Sequence, residues 1–409
     1  MMKFQKEKKN VFRELDFWSK LYIIIFLMIM FSGSTFLSQA VMPLVCILIF
    51  FLACMIFIKD IQSNANRNKK IYLIQIIIIL IILFLIYQRR ISFNPQTTTV
   101  FIQRFLVLSL LLVFVPTVDL NYKVIKAIKY YSYFVSISII FMTLVTGTKS
   151  GGIVGSFQFA GMLMSISFGV FLIDYYIDKN KIDLIGLALC FLALLMSGKR
   201  TFTMLAIIAY VLIFYILRDK KRTIKFLKLS FIMMVILGIA FLTIPAVRLV
   251  GKRIIEFSGD NTYNGRSYYW IAAFDIFKNH KMLGIGMGCF AEYFDLFFHR
   301  LGNLEAYDAH NIYIQMLAEV GILGEMLFIS MFLVTLISSL LLLRKRYIRE
   351  NEKCIYVLSY SIYLQVWFLI YGLTGNPLYG ASQLFFYMTA VSMIVSLKLF
   401  ERKYRIKYK

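Results

Sequence analysis

The chain has 409 residues, of which 60% are hydrophobic, 17% aromatic and only 16% charged, and its mean hydropathy is +0.76. A soluble globular surface carries more charge than this, so the composition describes a polytopic, all-α membrane protein and excludes an ordinary water-soluble enzyme. The net charge of +24 does not point to nucleic acid, because the 45 Lys and Arg residues fall in short clusters between apolar runs, with neither a basic stripe nor a binding motif.

The first twenty residues are rich in Lys, and the apolar run after them lacks a small-residue cleavage site, so it reads as a retained span. A helix needs about 20 apolar residues to cross a bilayer. That ruler marks about 12 transmembrane helices, near 20–38, 39–58, 71–88, 99–117, 128–146, 156–175, 182–197, 201–217, 229–247, 321–343, 354–373 and 382–397. The basic clusters Lys3 to Lys20, Lys59 to Lys70, Arg218 to Lys228, Arg344 to Lys353 and Lys398 to Lys409 fall on one side of this alternation. The positive-inside rule makes that side cytoplasmic, and both termini with it. The expected organisation is one integral membrane domain over 1–409, with a partly helical extracytoplasmic loop at 247–311 between spans nine and ten. Cys46, Cys54, Cys190, Cys289 and Cys354 lie mostly inside apolar spans and form no CxxC pair, so neither a disulfide framework nor a zinc site is signalled.

Two places put cations close to hydrocarbon. Arg104 lies within span four, and Lys199 and Arg200 occupy the short turn Ser197-Gly198-Lys199-Arg200-Thr201 between spans seven and eight. A cation facing lipid at mid-bilayer costs about 2.5–3.5 kcal/mol on insertion scales, so each faces a polar cavity or snorkels to the interface.

All three histidines, His280, His299 and His310, fall in the long polar loop, so side chains that exchange protons near neutral pH are confined to it. Trp270, Ala273, Phe274 and Phe277 follow i, i+3, i+4, i+7 spacing and predict an amphipathic helix opened by Arg266, capped by Asn264 and ended by Gly284. A cation at a helix start is unfavourable unless an anion shares the site. The run Gly284-Ile285-Gly286-Met287-Gly288 has no preceding strand, so a tight turn is expected instead of a dinucleotide site. A second helix is predicted from an Asp308 cap, with Tyr313, Met316, Leu317 and Val320 as its apolar face and His310 in its first turn. The positive end of the helix dipole there favours neutral imidazole, the form that suits a general base. His280, between Lys278 and Lys281, and His299, beside Arg300, read as interfacial.

Taken in order, Ser197-Gly198-Lys199-Arg200-Thr201, Gly265-Arg266-Ser267-Tyr268-Tyr269-Trp270, Leu283 to Phe290, and Ala309-His310-Asn311-Ile312-Tyr313 through Glu319-Val320-Gly321 resemble the O-antigen ligase and Wzy-type polysaccharide polymerase superfamily. The resemblance implies a metal-independent glycosyltransferase of the bacterial cytoplasmic membrane, without cofactor. It would move glycan from undecaprenyl pyrophosphate to a sugar hydroxyl outside the membrane, in capsule, O-antigen or exopolysaccharide synthesis. His310 matches the family's histidine before Asn, and Arg200 and Arg266 match its two arginines, with Arg104 and Lys199 as further cavity cations. Implied partners are the lipid-linked oligosaccharide, the growing glycan or other acceptor, membrane lipid, a chain-length regulator and a flippase. The sequence departs from the family at Lys199, where a small residue is common, and at Gly155 to Phe159, which match its polar segment only loosely.

The leaving pyrophosphate is anionic, which calls for planar, permanently charged arginine donors, and the weakly nucleophilic acceptor hydroxyl calls for a positioned base. The chain has no DxD motif. Glu256, Asp260, Asp275, Glu292, Asp295, Glu305 and Asp308 are scattered through the loop, as expected of capping, ion-pairing or sugar-binding groups. A ligase acting on another acceptor shares these motifs, and the abundance of Ile, Lys and Asn leans towards a polymerase. A transporter or lipid-linked sugar flippase would carry its polar groups near mid-membrane. A major-facilitator protein would show a Gly- and Arg-rich signature where Lys59-Asp60-Ile61-Gln62-Ser63-Asn64 stands.

Overall fold

The computed structural model describes residues 72–109, 117–178, 182–217, 262–298 and 308–407, with scattered positions at 17–24 and 223–243. Among the described residues the regular elements are helical: α1 (Leu73–Gln88), α2 (Pro95–Ser109), α3 (Val118–Thr146), a 3-10 turn (Gly152–Val154), α4 (Phe157–Ile177), α5 (Ile182–Ser197), α6 (Arg200–Leu217), α7 (Thr262–Asn279), α8 (Phe290–Phe298), α9 (Ile312–Leu343), α10 (Arg346–Glu350), α11 (Glu352–Tyr371) and α12 (Ala381–Lys407). Six of these, α3, α4, α6, α9, α11 and α12, are long and apolar enough to cross a membrane, while α1 and α5 are shorter apolar helices. The protein is therefore a multi-pass membrane protein. The expected spans near 20–38, 39–58 and 229–247 lie almost wholly outside the described residues, as do residues 247–261 of the long loop.

Helix α4 is central, flanked by α3, α5, α6 and α11. Its small residues allow that closeness: the Tyr363 ring of α11 lies where a Cβ on Gly169 would sit, and the Phe171 ring of α4 does the same to Gly186 of α5. Trp367 Nε1 donates to Ser165 Oγ at 2.8 Å, and Tyr363 donates to the Ser165 carbonyl, so polar pairs join small-residue packing between α11 and α4. At the far end of α4, about 25 Å from Phe157 by helical rise, Lys126 and Lys129 of α3 pair with Asp174, Asp178 and Asp183. Removing one partner of such a buried network leaves an uncompensated charge, so it ties α3, α4 and α5 together.

Helix α9 is broken at Gly321, whose φ of 61° and ψ of −171° interrupt the helical path. The break removes the ordinary bonds from Ile322 and Leu323 back to Ala318 and Glu319. All four groups are satisfied by the chain leaving α7. Ile322 N–H donates to the Lys281 carbonyl at 2.9 Å and Leu323 N–H to that of Met282 at 3.3 Å, while Ala318 and Glu319 carbonyls accept from Ile285 at 3.1 Å and Gly286 at 2.9 Å. Gln88 Nε2 of α1 donates to the Glu319 carbonyl at 2.7 Å and to that of Leu283 at 2.5 Å. The glycine run is thus a close-packed turn, as its sequence predicts. A Cβ on Gly284, at φ +65°, would lie 2.2 Å from the Glu319 carbonyl oxygen. Gly284→Ala is expected to cost about 1–3 kcal/mol from backbone strain alone, read as a lowered thermal midpoint in detergent; an unchanged midpoint would show that this crossing tolerates a shift.

Candidate functional site

Helix α7 starts at Thr262 and ends at Asn279, earlier at both ends than the sequence suggests, so Arg266 lies in its second turn instead of opening it. Its buried face is also turned. Tyr269, Ala272, Ala273 and Ile276 are buried, whereas Phe274 is 44% exposed. The spacing is again i, i+3, i+4, i+7, displaced one residue from the predicted stripe, with the small Ala272 and Ala273 on the face that meets α9. Tyr269 packs on Phe294 of α8 with ring centroids 4.8 Å apart. Trp270 Nε1 donates to the Ala309 carbonyl at 2.8 Å, fixing α7 to the residue before His310.

Helix α8 is clamped from the other side. The Glu292 carboxylate accepts from Asn94 Nδ2 at 2.6 Å and Thr97 Oγ1 at 2.7 Å, and Phe93 N–H donates to the Ile285 carbonyl at 2.7 Å. Phe93 meets Tyr293 edge-on at 5.1 Å. The Glu319 carboxylate, fully buried, accepts from the N–H groups of Gly288 at 2.7 Å and Phe290 at 2.9 Å, from Tyr379 at 2.5 Å and from Gln315 at 3.1 Å. Four donors on one carboxylate make its burial tenable.

His310 sits at the end of this scaffold. It is not in the first turn of α9: the N-cap is Asn311, whose Oδ1 accepts from the N–H groups of Tyr313 at 3.1 Å and Ile314 at 3.3 Å. Asp308, the predicted cap, accepts from Gln315 Nε2 at 3.2 Å. His310 therefore precedes the cap, with φ 52°, the one positive φ outside glycine among the described residues. Histidine tolerates this left-handed region better than most residues. Burial holds its proton affinity below the ordinary imidazole value, and the nearby charges of Arg266 and Lys199 act in the same direction, against Asp308. Partial burial and two neighbouring cations thus stand in for the helix-dipole cause expected from the sequence.

The cations converge from separate elements. Lys199, half-buried in the α5–α6 turn, has its proton affinity lowered by burial, then by Lys149 and Arg266. Lys199 Nζ lies 5.1 Å and Lys149 Nζ 6.0 Å from the ring centroid of Phe157, the first residue of α4. The structure thus brings His310, Arg266, Lys199 and Lys149 into one neighbourhood, with Asp308 as the opposing charge on His310. Lys149 carried no motif of its own, being fifty residues from Lys199 in sequence; its place beside the loosely matching Gly155 to Phe159 segment was the only available signal. Arg200 is the first residue of α6 and exposed. Arg104 is half-buried and its guanidinium donates to the Tyr379 carbonyl at 2.5 Å, supporting the loop after α11. His280 is exposed with its ring 6.2 Å from Tyr293, and His299 lies outside the described residues. Asp275 pairs with Lys278 at 2.9 Å, while Glu256, Asp260 and Glu305 lie outside the described residues.

Residues 185–329 match the O-antigen ligase family. The match spans α5, α6, α7, α8 and the start of α9, the elements that carry Lys199, Arg200, Arg266 and His310, and it supports the O-antigen ligase and Wzy-type polymerase superfamily. The match supports a membrane glycan ligase or polymerase role. A search of curated proteins gave no match.

Proposed function

We propose that this protein is a metal-independent glycosyltransferase that moves glycan repeat units from undecaprenyl pyrophosphate to a sugar hydroxyl, on the outer face of the bacterial cytoplasmic membrane. The observation that carries this reading is the convergence of a histidine held towards its neutral form with Arg266 and Lys199. One group can take a proton and the others can hold an anion. His310 removes the proton of the acceptor hydroxyl as its oxygen attacks the anomeric carbon. The bond from that carbon to the pyrophosphate oxygen breaks, and its electron pair leaves with the lipid pyrophosphate. Arg266 and Lys199, with Arg200 from the exposed start of α6, oppose the charge that builds there. Attack from the face opposite the leaving group inverts the anomeric centre.

Reconstitution in vesicles with a defined undecaprenyl-pyrophosphate oligosaccharide tests the class of reaction. A polymerase gives a ladder of lipid-linked chains and one released undecaprenyl pyrophosphate per bond formed. A ligase gives transfer only when a second acceptor is supplied. A flippase moves intact donor between leaflets with no new glycosidic bond, and that outcome would overturn the proposal.

A further inference from the structure

We propose that Gln315 is a positioning residue that sets the orientation of His310. Gln315 is 1% exposed and its amide makes four hydrogen bonds. Oε1 accepts from Ala309 N–H at 2.9 Å and from Asn376 Nδ2 at 2.8 Å; Nε2 donates to Asp308 Oδ1 at 3.2 Å and to Glu319 Oε1 at 3.1 Å. A carboxamide has two hydrogens to donate and two lone pairs, so its capacity is filled. Two of the four partners are the residues immediately before His310. The other two lead into the scaffold: Asn376 belongs to the loop after α11, and Glu319 gathers Gly288, Phe290 and Tyr379.

The backbone of His310 explains why such a tie is needed. A left-handed conformation at a side-chain-bearing residue persists when its surroundings over-determine it. Gln315 fixes the chain before His310, the Asn311 cap fixes the chain after it, and the bond of 2.9 Å from Ile312 N–H to the Gly372 carbonyl holds the start of α9 against α11. A buried carboxamide whose four hydrogen-bond positions are all used has one favourable arrangement and rigidifies what it holds. The charged groups bearing on His310 are Arg266 from α7, Lys199 from the α5–α6 turn and Asp308 from its own segment. Gln315 thus fixes the backbone that carries the imidazole beside both cations.

This inference rests on the reading of His310 as the base, and the test keeps the two apart. In a His280→Gln/His299→Gln background His310 is the sole histidine, so histidine-labelled NMR in detergent reports its ring environment and titration independently of turnover. Gln315→Leu removes all four bonds. It is expected to move the His310 resonance, to raise its titration midpoint towards the free value, and to lower kcat roughly 10- to 100-fold with donor KM little changed, as misplacement of a reacting group by about 1 Å does. Gln315→Glu keeps shape and volume but sets acceptors against the Asp308 and Glu319 carboxylates. It is expected to act in the same direction, and adding Asp308→Asn, which restores a donor on one of the two sides, is expected to recover part of the lost kcat. In that double variant kcat is the readout, since Asp308 itself favours the imidazolium. If Gln315→Leu fails to fold, Gln315→Glu and the double variant carry the test. An unmoved His310 resonance with unchanged kcat in Gln315→Glu overturns the proposal. Full activity in His310→Ala overturns the base instead, and the NMR arm then judges positioning by itself.

Discussion

Replacing His310 by asparagine is expected to leave a membrane-inserted, folded protein whose rate of glycosidic bond formation falls about 10²- to 10⁴-fold, the usual contribution of a positioned base. Single repeat units then remain on the lipid carrier. Asparagine is a better probe here than alanine. His310 occupies the left-handed region at φ 52°, which asparagine tolerates, so His310→Asn removes the imidazole with little backbone penalty. His310→Ala adds a conformational cost, and the two together separate chemistry from folding.

The pH dependence follows from the same geometry. Burial, Arg266 and Lys199 all disfavour the imidazolium, so the neutral base persists as pH falls through the ordinary histidine value near 6.5. The acid limb of kcat/KM, which reports the free enzyme, is expected below that value. Arg266→Gln removes one cation and should move the limb upward. Normal chain length in His310→Asn, or an acid limb above the ordinary histidine value, would remove His310 from the reaction.

Much of this site was legible in the sequence, and the parts that were not have identifiable causes. The order of the motifs marked Arg200, Arg266 and His310, with Lys199 as a further cavity cation; the fold brings Arg266 and Lys199 near His310 and leaves Arg200 exposed at the start of α6. The register of α7 was misread because two stripes about 100° apart, sharing Ala273, are both apolar. Which stripe meets protein depends on the partner helix α9, and the small pair Ala272 and Ala273 takes that side. The cap of α9 was misplaced because Asp308 and Asn311 are both good cap residues; Gln315 claims the carboxylate of the first and leaves the second for the helix. Gln315 and Glu319 did carry a local signal, as two polar residues spaced i, i+4 in a run otherwise dominated by apolar residues. Such a pair is either lipid-averse or part of a buried network. Lys149 reaches the site by tertiary packing alone.

The largest effect on substrate binding is expected at the cations. Arg266→Ala should weaken a pyrophosphate-containing donor roughly 10- to 100-fold, since a charge-assisted bond is worth about 1.5–3 kcal/mol and about 1.4 kcal/mol is tenfold. Arg266→Lys should recover little of this, because a point charge does not reproduce a planar two-pronged donor. Arg200→Ala, at an exposed position, should act in the same direction with a smaller effect, since water and salt screen an exposed charge. Lys199 adds a pH signature on the alkaline side. Burial, Lys149 and Arg266 lower its proton affinity in the free protein, so it loses charge at lower pH than an ordinary lysine. A bound anion offsets those causes and restores the proton. Donor binding should therefore take up a proton at alkaline pH and weaken as pH rises through that region. In Arg266→Ala the same transition should move to higher pH, because one of the charges lowering the Lys199 affinity is gone. Calorimetry in two buffers of different ionisation enthalpy measures the proton uptake directly. Unchanged donor affinity in Arg266→Ala and Lys199→Ala, with no proton uptake, would show that the pyrophosphate binds elsewhere.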